Sequence, residues 1–270
     1  MTQIYLKPFW EPWMSTESVF CQAVVKCGYL TEDQMLRAAE RYRLGRSRDG
    51  GVIFWQIDEE GRTRDGKIMY YREDCHRDKS RHPSWASARL KAHYGYDGEL
   101  PVERCLFGLH LLTEFFEEGG RRNEEGEYSQ RSKGTPACTD STAQNISLSP
   151  PNSGGETAIA VVEAEKTAVI MSEVYPQYVW MAAGGLSALS AEKLHPLRDH
   201  KVVLFPDTDP DGTTYACWKA IAGEASRSFL SPVYVSPLLE RHATPEQKAA
   251  KIDLVDFLFE PQITQISQTI

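Results

Sequence analysis

The sequence predicts an α/β protein, in which a C-terminal parallel sheet with helices on both faces follows a smaller α+β domain. From residue 158 onward, short continuous apolar strands alternate with helical segments, which is typical of a parallel sheet covered on both faces. Before residue 116, a capped helix and a hairpin of strand-forming residues indicate a mixed α+β unit. A polar stretch between them favours a boundary.

A helix is predicted early in the first domain, residues 1–116. Thr31 and Gln34 have the spacing of a capping box, in which each side chain accepts a hydrogen bond from the other residue's backbone N–H. Met35, Leu36, Ala39 and Tyr42 then give the helix an apolar face. Gly45 is placed to end it, since glycine adopts the left-handed conformation common at helix ends.

A β-hairpin is predicted after this helix. Residues 52–57 and 67–71 are rich in β-branched and aromatic side chains, and residues 58–61 (Asp-Glu-Glu-Gly) form a turn between them. Arg62, Arg64 and Lys67 on this hairpin could hold phosphates, and the aromatic rings of Trp55, Tyr70 or Tyr71 could stack on bases. The alternative is that the aromatic side chains face the core.

The stretch 117–157 contains almost no large apolar side chains. A segment this polar cannot bury enough surface to offset the entropy cost of ordering it, so a disordered linker or insertion is predicted. Residues 263–270 are expected to form a short tail.

The second domain is predicted to cover residues 158–262. Strands are expected over 158–162, 178–182, 201–205 and 232–235, and helices from about 165, over about 213–229 and over about 245–259. Ser187 is placed to cap a further helix after the second strand.

Composition narrows the class of protein. Apolar residues make up 41% and charged residues 25% of the 270, as in folded globular proteins. No apolar run approaches the roughly 20 residues that span a bilayer, and the N-terminus lacks the pattern of a secretory signal. We therefore expect a cytoplasmic protein without a membrane partner. The six cysteines are scattered, which argues against a zinc ribbon or a disulfide framework.

The net charge of −8 argues against a protein that coats nucleic acid indiscriminately. Its distribution is uneven, because residues 37–91 contain 14 Lys/Arg against 9 Asp/Glu. Such a segment permits a polyanion-binding surface in the first domain, and solvated surface charge explains it equally well.

Acidic residues follow two of the predicted parallel strands. Glu163 comes directly after the first strand, and Asp207, Asp209 and Asp211 follow the third. Ligands of such sheets bind beyond the carboxyl ends of the strands. If the two strands are neighbours, the carboxylates converge and repel one another unless a cation neutralises them. Oxygen ligands favour Mg²⁺ or Mn²⁺, or Ca²⁺, over zinc, although acidic residues at strand ends also simply cap helices.

Two other motifs are excluded. The string Asp207–Gly212 begins like an EF-hand loop, but its twelfth position is Trp218 instead of glutamate, and a strand precedes it. No Gly-x-x-x-x-Gly-Lys-Ser/Thr loop occurs, which excludes a P-loop ATPase within this sequence.

Three segments resemble the signatures of TOPRIM domains, in the order and spacing found in bacterial and phage primases. They are Val162–Ala168 (VEAEKTA), Ala182–Gly185 (AAGG) and Leu204–Gly212 (LFPDTDPDG). The resemblance implies that Glu163, Asp207 and Asp209 hold a divalent metal and that Gly184 lies in a glycine turn. Residues 251–258 are similar, more loosely, to an acidic helix near the end of such domains. The chain has Ala164 where many relatives have glycine.

The first domain also resembles the domain that precedes TOPRIM in primase-like proteins of bacterial mobile elements. The residues that carry this likeness are Phe54–Asp58, Gly61–Arg62, Gly66–Tyr71 and Cys105–Gly108. The resemblance implies a primase-like nucleotidyltransferase that uses nucleotides and single-stranded DNA in mobile-element replication. Lys166 is then a candidate catalytic contact to phosphate, and a helicase or other replication protein would act in trans.

Two alternatives stay open on the sequence alone. Other TOPRIM proteins cut phosphodiesters with the same carboxylates, so a metal-dependent nuclease is one. The other is a non-catalytic nucleic-acid-binding accessory protein whose acidic site is vestigial.

Overall fold

The computed structural model describes residues 16–100, 102–117 and 157–259. Most of the predicted linker, and the predicted tail at 263–270, lie outside these residues. The described chain forms two four-stranded sheets, one antiparallel and one with parallel pairing throughout, together with helices. This mixed α/β architecture is the predicted class. In the described ranges, no helix has both the length and the apolar character needed to cross a bilayer.

Two helices open the described chain, α1 (Val19–Lys26) and α2 (Glu32–Arg41). The capping box of α2 is confirmed: the Gln34 backbone N–H donates to Thr31 Oγ1 at 3.3 Å, and the Thr31 N–H donates to Gln34 Oε1 at 2.9 Å. The prediction that Leu36 lies on the apolar face of α2 is wrong, because 48% of the surface of Leu36 is exposed.

The predicted end of α2 at Gly45 is also wrong. The helix ends at Arg41 with Tyr42 as its C-cap, and Arg43 takes the left-handed conformation with a φ of 52°. Gly45 lies in a strand instead, where a Cβ atom would be 2.7 Å from Nε1 of Trp55. Glycine is therefore favoured there by the close approach of the Trp55 side chain.

The antiparallel sheet has the order β1-β2-β3-β4. Its strands are β1 (Gly45–Arg46), β2 (Val52–Ile57), β3 (Thr63–Met69) and β4 (Ser84–Trp85), and α3 (Ala86–Tyr94) follows directly. Side chains alternate between the faces. Phe54 and Met69 join the main core, whereas Ile53, Trp55 and Ile68 form a second small cluster. The return strand of the hairpin begins four residues earlier than predicted, at Thr63.

The parallel sheet has the order β6-β5-β7-β8. Its elements in chain order are β5 (Ala158–Val162), α4 (Glu165–Val174), β6 (Tyr178–Ala182), α5 (Ala191–Leu194), β7 (Val202–Phe205), α6 (Thr213–Ala225) and β8 (Tyr234–Val235). Every residue of β5, β6 and β7 is buried, as expected for a sheet covered on both faces. α4 lies against β5 and β6, whereas α5 lies against α6, which lies against β8.

The end of the described chain differs from its prediction. The helix predicted over about 245–259 is broken: α7 (Leu238–His242) and α8 (Pro245–Ala250) are short, Lys251 has a φ of 58°, and helix resumes only at residues 254–259. Ser190, rather than Ser187, caps α5 by accepting from the Lys193 N–H.

The two sheets share one hydrophobic core. The Phe107 and Ala182 backbones exchange hydrogen bonds of 2.9 and 3.0 Å, so an isolated antiparallel bridge joins the segment after α3 to the end of β6. The Tyr42 hydroxyl donates to the Trp180 carbonyl at 2.8 Å, and Arg41 forms an ion pair with Glu173 at 2.9 Å. The α2 helix is thus fixed against the parallel sheet.

Candidate functional site

The acidic residues singled out in the sequence follow two neighbouring strands. β5 and β7 are paired in parallel with Val162 opposite Phe205. Glu163 is the first residue after Val162 of β5, and Asp207 is the second residue after Phe205 of β7. Both side chains are half-buried at the carboxyl edge of the sheet. The adjacency of strands on which the metal prediction depended is therefore present.

Negative charge accumulates around Asp207. Burial raises the pKa of Asp207 well above its usual value, and the charges of Asp253 and Glu163 raise it further, against the opposing effect of Lys166. Burial also raises the pKa of Glu163, although the Leu186 backbone N–H and the Lys67 ammonium lower it. Carboxylates in this situation are stabilised in their charged form by a cation placed between them.

Asp209 faces the start of α6. Its Oδ1 accepts from the N–H groups of Asp211 and Thr213 at 3.0 Å, and its Oδ2 accepts from the Thr214 N–H at 2.6 Å. These hydrogen bonds lower its pKa to about 2 despite burial. The capping role that the sequence left open thus applies to Asp209, while the side chain of Asp211 is exposed.

Within the described residues, no three His, Cys, Asp or Glu side chains form a ready-made metal site. The donor set at the edge still suits a hard cation, because Glu163 and Asp207 supply oxygen atoms, the ligands that such cations prefer.

Lys166 is held by a pair of carboxylates. Its Nζ lies 3.2 Å from Asp253 Oδ2 and 3.2 Å from Asp256 Oδ1, and the Thr167 hydroxyl donates to Asp253 at 2.7 Å. Burial opposes the charge on Lys166, but the two carboxylates raise its pKa well above the ordinary value. Lys166 is therefore an internal counter-ion to the acidic segment at 253–256.

A backbone contact brings that acidic segment to the edge. The Thr208 N–H donates to the Ile252 carbonyl at 3.1 Å, which places Asp253 beside the loop that contains Asp207. The sequence pointed to residues 251–258 only loosely, and Asp253 was not among the predicted ligands.

Lys67 reaches the same edge from the other sheet. Its Nζ donates to Glu165 Oε2 at 2.9 Å and to the Gly184 carbonyl at 2.8 Å, and only 14% of its side chain is exposed. Gly184 has a φ of 92°, and its N–H donates to the Glu163 carbonyl at 3.0 Å. The glycine turn therefore joins Lys67 to the backbone of Glu163.

Two further cations in this region, Lys193 and Arg104, were missed in the sequence, and the Arg104 Nε donates to the buried Asp65 at 3.1 Å. Lys193, on α5, is directed at the Ala183 carbonyl at 3.4 Å. Burial lowers its pKa, the positive charges of Arg104 and Lys67 lower it further, and Glu165 opposes them. No motif marks these residues, because three separate parts of the chain contribute them.

Arg62 and Arg64, which were predicted to contact phosphates, lie at the hairpin turn. Their Nε atoms donate to the same oxygen of Asp58, at 2.7 and 2.6 Å, and Asp58 is buried. Arg62 also pairs with Glu60, and Arg64 lies 3.6 Å from Glu103. Both arginines stabilise the turn. Of the predicted trio, Lys67 is the residue that contacts the carboxyl edge.

Trp55 is buried away from Lys67. Only 5% of it is exposed, and a Cβ atom on Gly66 would lie 2.6 Å from its ring. The ring packs against the glycine backbone of neighbouring strands in the second cluster. This is the core arrangement that the sequence left as the alternative for the hairpin aromatics.

Comparison with solved structures finds similarity to primase fragments. The primase fragment of the bacteriophage T7 primase-helicase protein is 14% identical with a TM-score of 0.41, over 86% of this chain and 69% of that chain. The Aquifex aeolicus primase, solved with its zinc-binding and RNA polymerase domains, is 12% identical with a TM-score of 0.44, over 93% of this chain. This chain covers 59% of that one, less than two thirds of its length.

No curated protein has significant similarity to the sequence. A protein-family match covers residues 18–118 and 151–208, more than half of the chain, and includes Lys67, Glu163 and Asp207. The chain belongs to the family described as "Domain of unknown function (DUF6371)".

Proposed function

We propose that this protein is a primase-like nucleotidyltransferase of the TOPRIM type, which uses Mg²⁺ or Mn²⁺ and acts on single-stranded DNA in the replication of bacterial mobile elements. The observation that supports the proposal is the meeting of opposite charges at one edge. Glu163 and Asp207 follow neighbouring strands, and Lys67 reaches the adjacent glycine turn, where its charge lowers the pKa of Glu163. A nucleoside triphosphate and its metal need both kinds of group.

Glu163 and Asp207 would hold the metal, with Asp209 and Asp211 on the same loop as further oxygen donors. When bound, the cation would offset the negative charge of the phosphates. Lys67 and Lys193 would donate to phosphate oxygens, and Lys67 is kept in place for this by Glu165 and the Gly184 carbonyl. Lys166 would keep Asp253 and Asp256 neutralised, so that their charge does not repel the nucleotide.

A primer-synthesis assay tests the proposal. Single-stranded DNA, labelled nucleotides and Mg²⁺ or Mn²⁺ are incubated with the wild type, with Asp207→Asn, and with Asp199→Asn as the matched control. Asp199 is exposed and precedes β7, at the opposite end of the strand from Asp207. We expect template-dependent products that decrease by about hundredfold or more in Asp207→Asn, because several kcal/mol of charge stabilisation is lost.

Other outcomes contradict the proposal. Folded wild-type protein that forms no product with either metal would exclude polymerisation by this chain. Cleavage of DNA without nucleotides would favour a metal-dependent nuclease instead. Equal loss of product in Asp199→Asn would show that the effect is not specific to the edge.

A further inference from the structure

One segment of the first domain has a composition unlike the rest of an acidic chain. Residues 79–96, here called the basic segment, contain four Lys/Arg, two His, one Trp and two Tyr, and no carboxylate. The nearest carboxylates in the sequence are Asp78 and Asp97. Cations interleaved with aromatic rings are the side chains that single-stranded nucleic acids contact.

The helix in this segment, α3, is held to the rest of the fold through its first half, in which Arg89 contacts Asp49 and Tyr70, and its last residues, 92–94, are exposed. Ala86 and Ser87 are its buried residues. Tyr94 at its end is 73% exposed, and Tyr96 beyond the left-handed Gly95 is 49% exposed. A helix end that buries so little is stabilised weakly by its own packing. Each ring contacts a neighbour in its own segment, since the centre of the His93 ring lies 4.9 Å from that of Tyr94 and the Tyr96 ring lies beside Gly98, and the remaining surface of both rings is open to a ligand.

Positive charge on this surface exceeds what the neighbouring carboxylate balances. Arg81 and Arg89 share one carboxylate, Asp49, at 3.1 and 3.0 Å. Lys91 has no ion-pair partner in the described part of the chain, and its Nζ lies 5.9 Å from the centre of the Tyr96 ring. One ring and one uncompensated cation therefore lie together at the exposed end of α3.

The segment is continuous with the cation cluster at the candidate site. Trp85 of β4 is directly opposite Lys67 of β3, so their side chains lie on the same face of the sheet. The Arg104 guanidinium stacks on the Trp85 ring at 3.7 Å. Lys67, Trp85 and Arg104 thus lie together at the start of α3, where the Arg104 Nε also donates to the buried Asp65 at 3.1 Å.

We propose that the basic segment is a binding platform for single-stranded nucleic acid, on which Tyr94 and Tyr96 stack unpaired bases while Lys91 and Arg81 contact phosphates. The platform rests on the proposed function in one respect, because the bound strand would be the template that leads to the carboxyl edge. Single strands fit better than duplexes, since ring faces can stack only on bases that are unpaired. An acidic protein would complement the charge but would leave the two rings without a stacking partner.

The test is fluorescence anisotropy with a fluorescein-labelled oligothymidylate of about 16 nucleotides, a length within the span that single-strand-binding domains cover. The solution contains EDTA and no nucleotides, so that binding does not depend on the metal site. We expect Tyr94→Ala and Tyr96→Ala each to weaken binding by about tenfold, while Tyr94→Phe and Tyr96→Phe bind as the wild type does. Lys91→Ala should lower the slope of log affinity against log salt by about one.

Tyr234→Ala is the matched control, since Tyr234 is a 39% exposed tyrosine on β8 in the other sheet. Wild-type affinity in the double variant Tyr94→Ala/Tyr96→Ala would overturn the platform, as would equal losses in the Phe and Ala variants. Preference for duplex over single strand, or no binding by the wild type, would also overturn it.

Failure of the platform and failure of the proposed function give different results. If only the platform is wrong, the tyrosine variants bind oligothymidylate normally and Asp207→Asn still abolishes metal-dependent synthesis. If only the nucleotidyltransferase is wrong, no synthesis occurs, yet the tyrosine variants still lose binding in EDTA.

Discussion

Asp207 and Asp209 are two residues apart on one loop, and their surroundings give them opposite properties. Burial and the charges of Asp253 and Glu163 raise the pKa of Asp207, whereas three backbone N–H groups hold that of Asp209 at about 2. The sequence predicted that both residues belong to one site. It could not predict the difference, because which carboxylate faces the helix start depends on the path of the loop after β7.

His110 shows how burial of a single residue makes stability depend on pH. Burial lowers the pKa of His110 to about 4, from 6.5, although its Nε2 lies 3.1 Å from the Arg41 carbonyl. The unfolded chain therefore binds more protons than the folded chain between those values. This contribution, about 3 kcal/mol of the unfolding free energy, is fully present above pH 6.5 and is lost as the pH falls to about 4.

Urea unfolding at several pH values, compared between the wild type and His110→Gln, measures this contribution. The glutamine amide can still donate to the Arg41 carbonyl but takes up no proton. As the pH falls from 7 to 4, the unfolding free energy of the wild type should therefore decrease relative to that of His110→Gln. His242→Gln, at an exposed position, is the control. A constant difference between pH 7 and pH 4 would contradict the assignment.

At the scale of elements, the periodicity of apolar residues predicted where strands and helices lie better than single capping residues predicted where helices end. β5, β6 and α4 lie where the sequence placed them, because continuous apolar strands and an apolar helix face leave few alternatives. The prediction that α2 ends at Gly45 was wrong because this glycine has another cause. The Trp55 side chain in the next strand leaves no room for a Cβ atom at position 45.

Two glycines predict opposite effects of the same substitution. Gly66→Ala places a Cβ atom 2.6 Å from the Trp55 ring and 2.9 Å from Ile53 Cγ2, so it should destabilise the fold by about 1–3 kcal/mol. Gly223→Ala, inside α6 with no atom within 4 Å of the new Cβ, should stabilise it by about 0.5–1 kcal/mol.

Chemical denaturation of both variants checks this pair in one experiment. The midpoints should move in opposite directions relative to the wild type. A neutral Gly66→Ala would mean that the Trp55 ring is free to move away, and the close packing of β2 on β3 would then be incorrect.

At the scale of the whole molecule, the candidate site depends on how the two sheets meet. Lys67 and Glu165 are 98 residues apart in the sequence, and no local pattern predicts their 2.9 Å contact. The sequence predicted two domains, 1–116 and 158–262, and the boundaries stay a prediction. The hydrophobic core nevertheless continues from Phe54 to Trp180, so the cations of one half are held against the carboxylates of the other.

The central claim is that this edge binds a divalent cation through Asp207, and titration with Mn²⁺ tests it most directly. Loss of the electron paramagnetic resonance signal of free Mn²⁺ gives the affinity without requiring turnover. The account predicts that the folded wild type binds Mn²⁺, that Asp207→Asn weakens binding by about tenfold or more, and that Asp199→Asn does not. No binding by the wild type, or equal affinity in Asp207→Asn, would contradict it.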